Sequence, residues 1–493
     1  MNDILNTLTP EKIWYYFGKV LQIPRASKKE EHIRAFVTDF AKSHKLSYDV
    51  DAVGNVLIRK PATQGYENRR VVALQCHLDM VCEKNSDTVF DFDTEPIQVE
   101  VIEGWLHAKG TTLGADNGIG VAAALAILDS PDIQHGDLEC LFTTDEETGM
   151  TGAFGLQPGW LKADILLNLD SEDDGLFFMG CAGGIDTVIK LAYSKEPLPQ
   201  GYTSYRLSVK GLKGGHSGDD INRGRENALK LCNRLLSQGI KDYALRLDGF
   251  NGGNLRNAIP REASATIAIP TQHQVAFETF VAHFTQTVRK ELPVTEPDLT
   301  IVLEPLASLT HVLPHQTAQN LCLALSAVPH GVVRMASDIP NFVETSTNLA
   351  SIKTPITQNG DILIQTSQRS SVDSRKHEIA HSVGAAFTLI GATVTHGEGY
   401  PGWTPNPQSP ILKLCLDCFK KLFKQDGEAL AIHAGLECGL ISEKYPAMDM
   451  VSFGPTMRGV HSPDEKLEIA TVTRFWELTL EILRNIPVKK IEN

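Results

Sequence analysis

The sequence predicts an α/β domain with a mostly parallel central sheet flanked by helices, interrupted by an inserted α+β domain. Three observations carry this reading. Up to about Gly184, short runs that are apolar on both faces alternate with helical stretches, the pattern of strands in a sheet covered on both sides. Beyond it, apolar and polar residues alternate singly, as in a half-exposed sheet. After about His396, GEGYPGWTPNPQSP reads as a re-entry linker, and the first texture returns. The chain therefore divides as 1–184, 185–396 and 397–493, with the first and last segments forming one domain. A length of 493 residues exceeds what one hydrophobic core usually supports, which agrees with two domains.

The elements follow in order. MNDILNTLTPEKIWYYFGKV has the spacing of an amphipathic helix. Val71–Cys76, Leu138–Thr143 and Asp164–Leu169 read as buried strands, with the alanine-rich helix Gly118–Leu128 between the first two. In the insert, Asp186–Tyr193, Tyr205–Lys210, Ala263–Ile269 and Asp298–Leu303 read as strands. Helices are expected near Asn222–Gln238, Gln274–Lys290, Thr317–Val328 and His377–Ile390. The strand–helix succession recurs, which suggests two related halves without a clean sequence repeat. The last segment supplies the helix Pro410–Phe423, the strand Met450–Gly454 and the helix Thr471–Asn485.

Composition narrows the function. The formal net charge is −14 and there is no basic stripe or tail, which argues against nucleic acid and against anionic membranes as partners. The N-terminus lacks a basic start followed by an apolar run, so it is not a secretory signal. No stretch approaches the about 18 apolar residues of a membrane span. Nine scattered cysteines fit reduced thiols in the cytoplasm. Cys415 and Cys418 form a lone CxxC inside a helical pattern and read as core packing, because a zinc ribbon needs a second pair.

Sites in open α/β sheets lie beyond the carboxyl ends of the strands. The residues there form a set. His77 and Asp79 follow VVALQC, Asp116 opens a helix after KGTTLGA, and Glu146 and Glu147 follow LECLFTTD. Asp170 follows DILLNL, and His461 follows VSFGPTMRGV. Two imidazoles and three carboxylates suit a pair of zinc ions, with one carboxylate shared. Asp116, in a glycine-flanked turn, is the candidate bridge. Asp79 is placed to accept the second N–H of His77. Of the two glutamates, one is free to ligate and the other to act as a base towards a metal-activated water. Ser462-Pro463-Asp464-Glu465 reads as a capping box, which would put His461 just before a helix.

HLDMV, GADNGIG, DEETGM, NLDSED and VHSPDE together resemble the co-catalytic zinc peptidases, the family of aminoacylases, carnosinases and succinyl-diaminopimelate desuccinylase. IPRASKKEEHI, GCAGGID, KGGHSGDDINRGRENA, GGNLRNAIPREA and HAGLECG extend the likeness along nearly the whole chain, towards the bacterial aminoacyl-histidine dipeptidases. The resemblance implies hydrolysis of dipeptides, preferentially Xaa-His, by a water bridging two zinc ions per subunit, with manganese or cobalt able to substitute. It implies that Asp116 bridges, that His77 and Asp170 complete one site, and that Glu147 and His461 complete the other. Glu146 would be the general base, Asp79 an orienting partner, and the Asp116–Asn117 peptide cis. The insert would be a lid and the surface of a homodimer. In it His216 would polarise the scissile carbonyl, in its own or the partner's site, and Arg369 would hold the substrate carboxylate. Asn257 is a candidate on the carbonyl side, and Glu437 a candidate for the substrate ammonium. Two rival readings are an N-acyl amino acid deacylase of the same family and a catalytically dead scaffold; the presence of all five ligands and Glu146 argues against the second.

Overall fold

The computed structural model describes residues 3–489, so Met1 and Asn2 of the N-terminal stretch lie outside it. The chain divides into two compact units. One comprises residues up to Cys181, Trp403–Ala431 and those from Leu436 onward; the other comprises Ala182–Gly402 and Ile432–Gly435. The divisions read from the sequence, 184/185 and 396/397, are displaced to these positions, and the brief return at Ile432–Gly435 has no signal in the sequence.

The first unit is built on an eight-stranded sheet. Its centre is four parallel strands in the order Leu138–Thr143, Val72–His77, Ile165–Asn168, Asp449–Ser452. The flanking strands Val56–Lys60 and Leu176–Cys181 run antiparallel, so the mostly parallel sheet read from the sequence has its parallel strands in the middle. All residues of Leu138–Thr143, Val72–His77 and Ile165–Asn168 are buried, as expected for strands covered on both faces. Ala115–Leu128 is apolar around its whole circumference, and nearly every residue of it is buried, which makes it a central helix rather than a surface one. A separate four-stranded sheet pairs Met457–Arg458, Lys466–Glu468, Trp105–Ala108 and Val99–Ile102. Because the central strands are parallel, their carboxyl ends all deliver side chains to one edge.

The second unit is a nine-stranded sheet with antiparallel pairing. Tyr202–Lys210, Ala228–Tyr243, Arg246–Gly252, Ala263–Pro270, Gln274–Glu291 and Thr300–Pro305 give the order strand, helix, strand, strand, helix, strand. The same order recurs in Gly183–Ser194, His315–Ala327, Val343–Lys353, Asn359–Ser370, Asp373–Thr388 and Thr393–His396. The two halves meet edge to edge where Gly252 pairs with Ile352. The helix expected from Asn222 begins at Ala228. Asn227 is its cap, its side-chain oxygen accepting from the N–H groups of Leu229 and Lys230 at 2.9 and 3.3 Å, and residues 217–224 before it are turns.

Candidate metal centre

His77 is the last residue of its strand and is 1% exposed. Asp116 sits in the first turn of Ala115–Leu128, where φ/ψ at Asp116 and Asn117 are non-helical and the peptide between them is cis. The Asn117 amide donates to the Leu169 carbonyl at 2.7 Å, tying this turn to the segment that carries Asp170. Glu146 and Glu147 open a short helical turn after Asp145. His461 lies in the loop between Met457–Arg458 and Lys466–Glu468, with φ of 63°. No helix follows it: the next helix starts at Ile469, and Ser462 closes a turn by donating to the Gly459 carbonyl at 2.7 Å. The capping-box reading of Ser462–Glu465 is therefore corrected.

The ligand atoms converge. His77 Nε2 lies 3.1 Å from Asp116 Oδ1 and 3.3 Å from Asp170 Oδ1. His461 Nε2 lies 3.2 Å from Asp116 Oδ2 and 3.0 Å from Glu147 Oε2. Two triads result, His77–Asp116–Asp170 and Asp116–Glu147–His461, each with ligand atoms within 4.8 Å of one another. Asp116 turns one carboxylate oxygen to each. A third group joins Glu146 to His77 and Glu147 within the same limit. Asp79 Oδ1 lies 3.4 Å from His77 Nδ1, and its two oxygens accept the backbone N–H groups of Glu146 and Glu147 at 3.0 and 3.2 Å. One buried carboxylate thus positions the first imidazole and both glutamates.

The electrostatics are those of carboxylates crowded out of water. Burial pushes Asp170 up to about 7, with His77 opposing and Asp116 adding to the rise. Glu146 is held well above the carboxylate range by burial; His77 opposes this, and Asp170, Glu437 and Glu147 reinforce it. Asp116 goes the other way: burial would raise it, but hydrogen bonds to His461 and His77 hold it below its ordinary value. Contacts with Asp116 and Glu147 push His461 up to about 11. A further carboxylate, Glu172, is pushed up to about 8 by burial and by the charges of Asp116 and Asp170. It follows Asp170 in NLDSED and was not singled out in the sequence.

The donor set fits divalent metal ions on two observations. Imidazole nitrogen and carboxylate oxygen are the ligands zinc takes. Glu147 Oε1 is buried without a hydrogen-bond partner, a costly arrangement that a cation offsets.

Glu437, which opens the helix Glu437–Lys444, is fully buried. Its Oε2 accepts from Gln75 Nε2 at 2.6 Å and Thr143 Oγ1 at 2.7 Å, so it braces the ends of two central strands; its Oε1 has no partner.

The remaining candidates lie in the second unit. Gly215–His216 pairs with Ala258–Ile259, and the Ser217 N–H donates to the Asn257 carbonyl at 2.8 Å, so His216 and Asn257 are neighbours. Asp219 faces His216 Nδ1, its N–H 3.2 Å and its Oδ2 3.1 Å away, and so orients the ring. Arg369 is 7% exposed; its Nη1 donates to the Tyr400 hydroxyl at 3.1 Å and its Nε to Ser217 Oγ at 3.4 Å. His433, also buried, shares a hydrogen bond of 2.7 Å with Ser346 Oγ. Tyr400 lay in the segment read as a linker, and His433 in a motif quoted for its glutamate.

Comparison with known proteins agrees with this geometry. A family model described as peptidase family M20/M25/M40 matches residues 73–485. The cytosol non-specific dipeptidase of Escherichia coli (strain K12) is 44% identical over 485 residues, covering 98% of this chain and 99% of that one. The crystal structure of an aminoacylhistidine dipeptidase from Vibrio alginolyticus superposes with a TM-score of 0.91 at 44% identity, covering 99% of each chain. A tripeptidase from Staphylococcus aureus, at 15% identity and a TM-score of 0.57 over 97% of this chain and 99% of that one, shares the fold.

Proposed function

Because the chain belongs to peptidase family M20/M25/M40, we propose that it is a metal-dependent dipeptidase whose preferred substrates are Xaa-His dipeptides. The observation that carries the reading is the pair of triads sharing Asp116. His77, Asp116 and Asp170 would hold one ion, and Asp116, Glu147 and His461 the other. Zinc suits this donor set, and manganese or cobalt can substitute. When bound, the ions supply Lewis acidity, acidifying a water and stabilising negative charge on the scissile carbonyl oxygen.

The chain's own residues supply the rest. Glu146, held beside the cluster by the bond from its N–H to Asp79, takes the proton from the attacking water and returns it to the leaving amine. Asp79 fixes the orientation of His77. His216 donates through Nε2 to the developing oxyanion. Arg369 binds the substrate carboxylate with its planar fork. Asn257 assists beside His216, and the open oxygen of Glu437 is available to the substrate ammonium.

The name of the Vibrio relative supports the histidine preference, whereas that of the Escherichia relative describes broader action. We place the protein in the cytoplasm, in keeping with a relative named for the cytosol and with nine free cysteines. No helix among the described residues is long and apolar enough to cross a membrane. Pairing of two chains through the second unit, with closure over the metals, is the assembly we propose. The edge strands Thr300–Pro305 and Thr393–His396 of its sheet support that surface.

The test is a panel of dipeptides and N-acyl amino acids assayed with defined zinc, manganese and cobalt. Turnover of Xaa-His dipeptides above other dipeptides is expected. Faster turnover of N-acyl amino acids would replace this reading with deacylation.

A further inference from the structure

Two buried charges with no role in the reaction lie beside the metal ligands. Arg25 is 1% exposed and Glu465 is 2% exposed. Arg25 Nη1 donates to the carbonyls of Leu78 and Asp79 at 3.0 and 2.7 Å, just after His77, and Nη2 donates to the Gly114 carbonyl, just before Asp116. Glu465 approaches the same turn from the opposite side. Its carboxylate accepts the N–H groups of Leu113 and Gly114 at 2.7 and 2.9 Å on Oε2, and those of Ala115 and Asp116 at 2.8 and 3.4 Å on Oε1.

These four N–H groups begin the Ala115–Leu128 helix, which has no side-chain cap of its own at Gly114. A carboxylate is the group best suited to such a site. It comes from the loop of His461, four positions further along the chain. Arg25 and Glu465 therefore latch two ligand-bearing segments, those of His77 and His461, onto the turn that carries Asp116. The turn is shaped for them: Gly114 has φ of 68°, and a Cβ there or at Gly118 would lie 2.5 or 2.7 Å from Arg25 Nη2.

We propose that Arg25 and Glu465 are positioning residues that hold the Asp116 carboxylate between His77 and His461, and so set the affinity for both ions. This rests on the two-metal reading above. Neither residue touches a ligand side chain in its role; each acts through the backbone of the turn.

The test compares Glu465→Gln, Arg25→Lys and a control, Glu139→Gln, with the wild type. Glu139 is also a buried carboxylate that accepts two backbone N–H groups, those of Lys162 and Ala163 at 2.7 and 3.0 Å, but it lies at the start of the Leu138–Thr143 strand, away from the ligands. Cobalt is titrated into each metal-free protein and followed by its visible absorption and by competition with a chromophoric chelator. Loss of an outer partner of a metal ligand costs about 10–100-fold in affinity. That loss is expected for both ions in Glu465→Gln and Arg25→Lys, with affinity unchanged in Glu139→Gln. Activity of the two variants should recover at high cobalt with the KM for dipeptide unchanged. Wild-type affinity in both variants, or an equal loss in the control, overturns the proposal. If one variant does not fold, the other carries the same comparison. Binding of fewer than two cobalt ions by the wild type would instead overturn the two-metal reading itself.

Discussion

The two functional clusters are built differently. In the first unit His77, Asp79 and Glu437 are at most 1% exposed, His461 alone of the proposed ligands is half-exposed, and the backbone around them is held by Asp79, Glu465 and Arg25 through hydrogen bonds to main-chain groups. In the second unit His216 is one-third exposed, follows Gly214 and Gly215, both at positive φ, on a two-residue strand, and neighbours the exposed Asn257. Arg369 and His433 there are buried. The difference teaches a division of labour. Metal chemistry needs ligands held to a fraction of an ångström by their surroundings, whereas recognition of varied dipeptides tolerates groups on looser loops. Substitutions in the two clusters should therefore separate kinetically.

Glu146→Gln should have the largest effect. Removing a general base costs about 10²–10⁴ in kcat. Metal content should stay at the wild-type level, since Glu146 belongs to neither triad that shares Asp116. Near-normal turnover would remove Glu146 from the mechanism.

His216→Ala follows. Loss of an oxyanion donor costs about 10²–10³ in kcat. Mixing these subunits with Glu146→Gln subunits sharpens the comparison. If His216 serves the partner's site, exchange restores activity; if exchange is confirmed and no activity returns, His216 serves its own chain.

Glu147→Gln should act on metal rather than on turnover at saturation. It removes a ligand, so affinity should fall further than the about 10–100-fold that outer partners account for. Equilibrium dialysis reads this directly, and unchanged affinity would contradict the assignment of the second triad.

Arg369→Lys keeps the charge but loses the fork. A hydrogen bond to a charged group contributes about 1.5–3 kcal/mol, so KM should rise about tenfold or more with kcat nearly unchanged. The smallest effect is expected at Asn348, whose amide donates to the carbonyls of Arg256 and Ala258 on either side of Asn257, at 3.0 and 2.8 Å. Asn348→Ala should raise KM about fivefold, the equivalent of one hydrogen bond of about 1 kcal/mol. A fall in metal affinity in either variant would erase the separation between the clusters.

The sequence was legible where structure is local. Leu138–Thr143 and Pro410–Phe423 begin and end where their apolar patterns do, because burial and capping there depend on neighbours in the chain; Ser409, for instance, caps the second through its hydroxyl. It misled where a local pattern has a distant use. Ser462-Pro463-Asp464-Glu465 satisfies the rule for a capping box, yet Glu465 caps a helix some 350 positions earlier in the chain. Arg25 lies in IPRASKKEEHI, where nothing in the local pattern marks it for burial; that burial follows from two carbonyl-bearing loops that only the fold brings together. The convergence of His77, Glu147 and Asp170 was legible because parallel strands deliver their carboxyl ends to one edge, a topological rule rather than a local one. Tyr400 and His433 sit in segments without periodicity, so nothing in their spacing pointed to Arg369 or Ser346.

The central claim is that Asp116 is shared between two metal sites. Anomalous scattering from crystals of the zinc-loaded protein, collected at the zinc edge, tests it most directly. The account predicts two peaks about 3.5–4 Å apart, one beside His77 and Asp170 and the other beside Glu147 and His461, with the Asp116 carboxylate between them. A single peak, or a second peak away from Asp116, would contradict it.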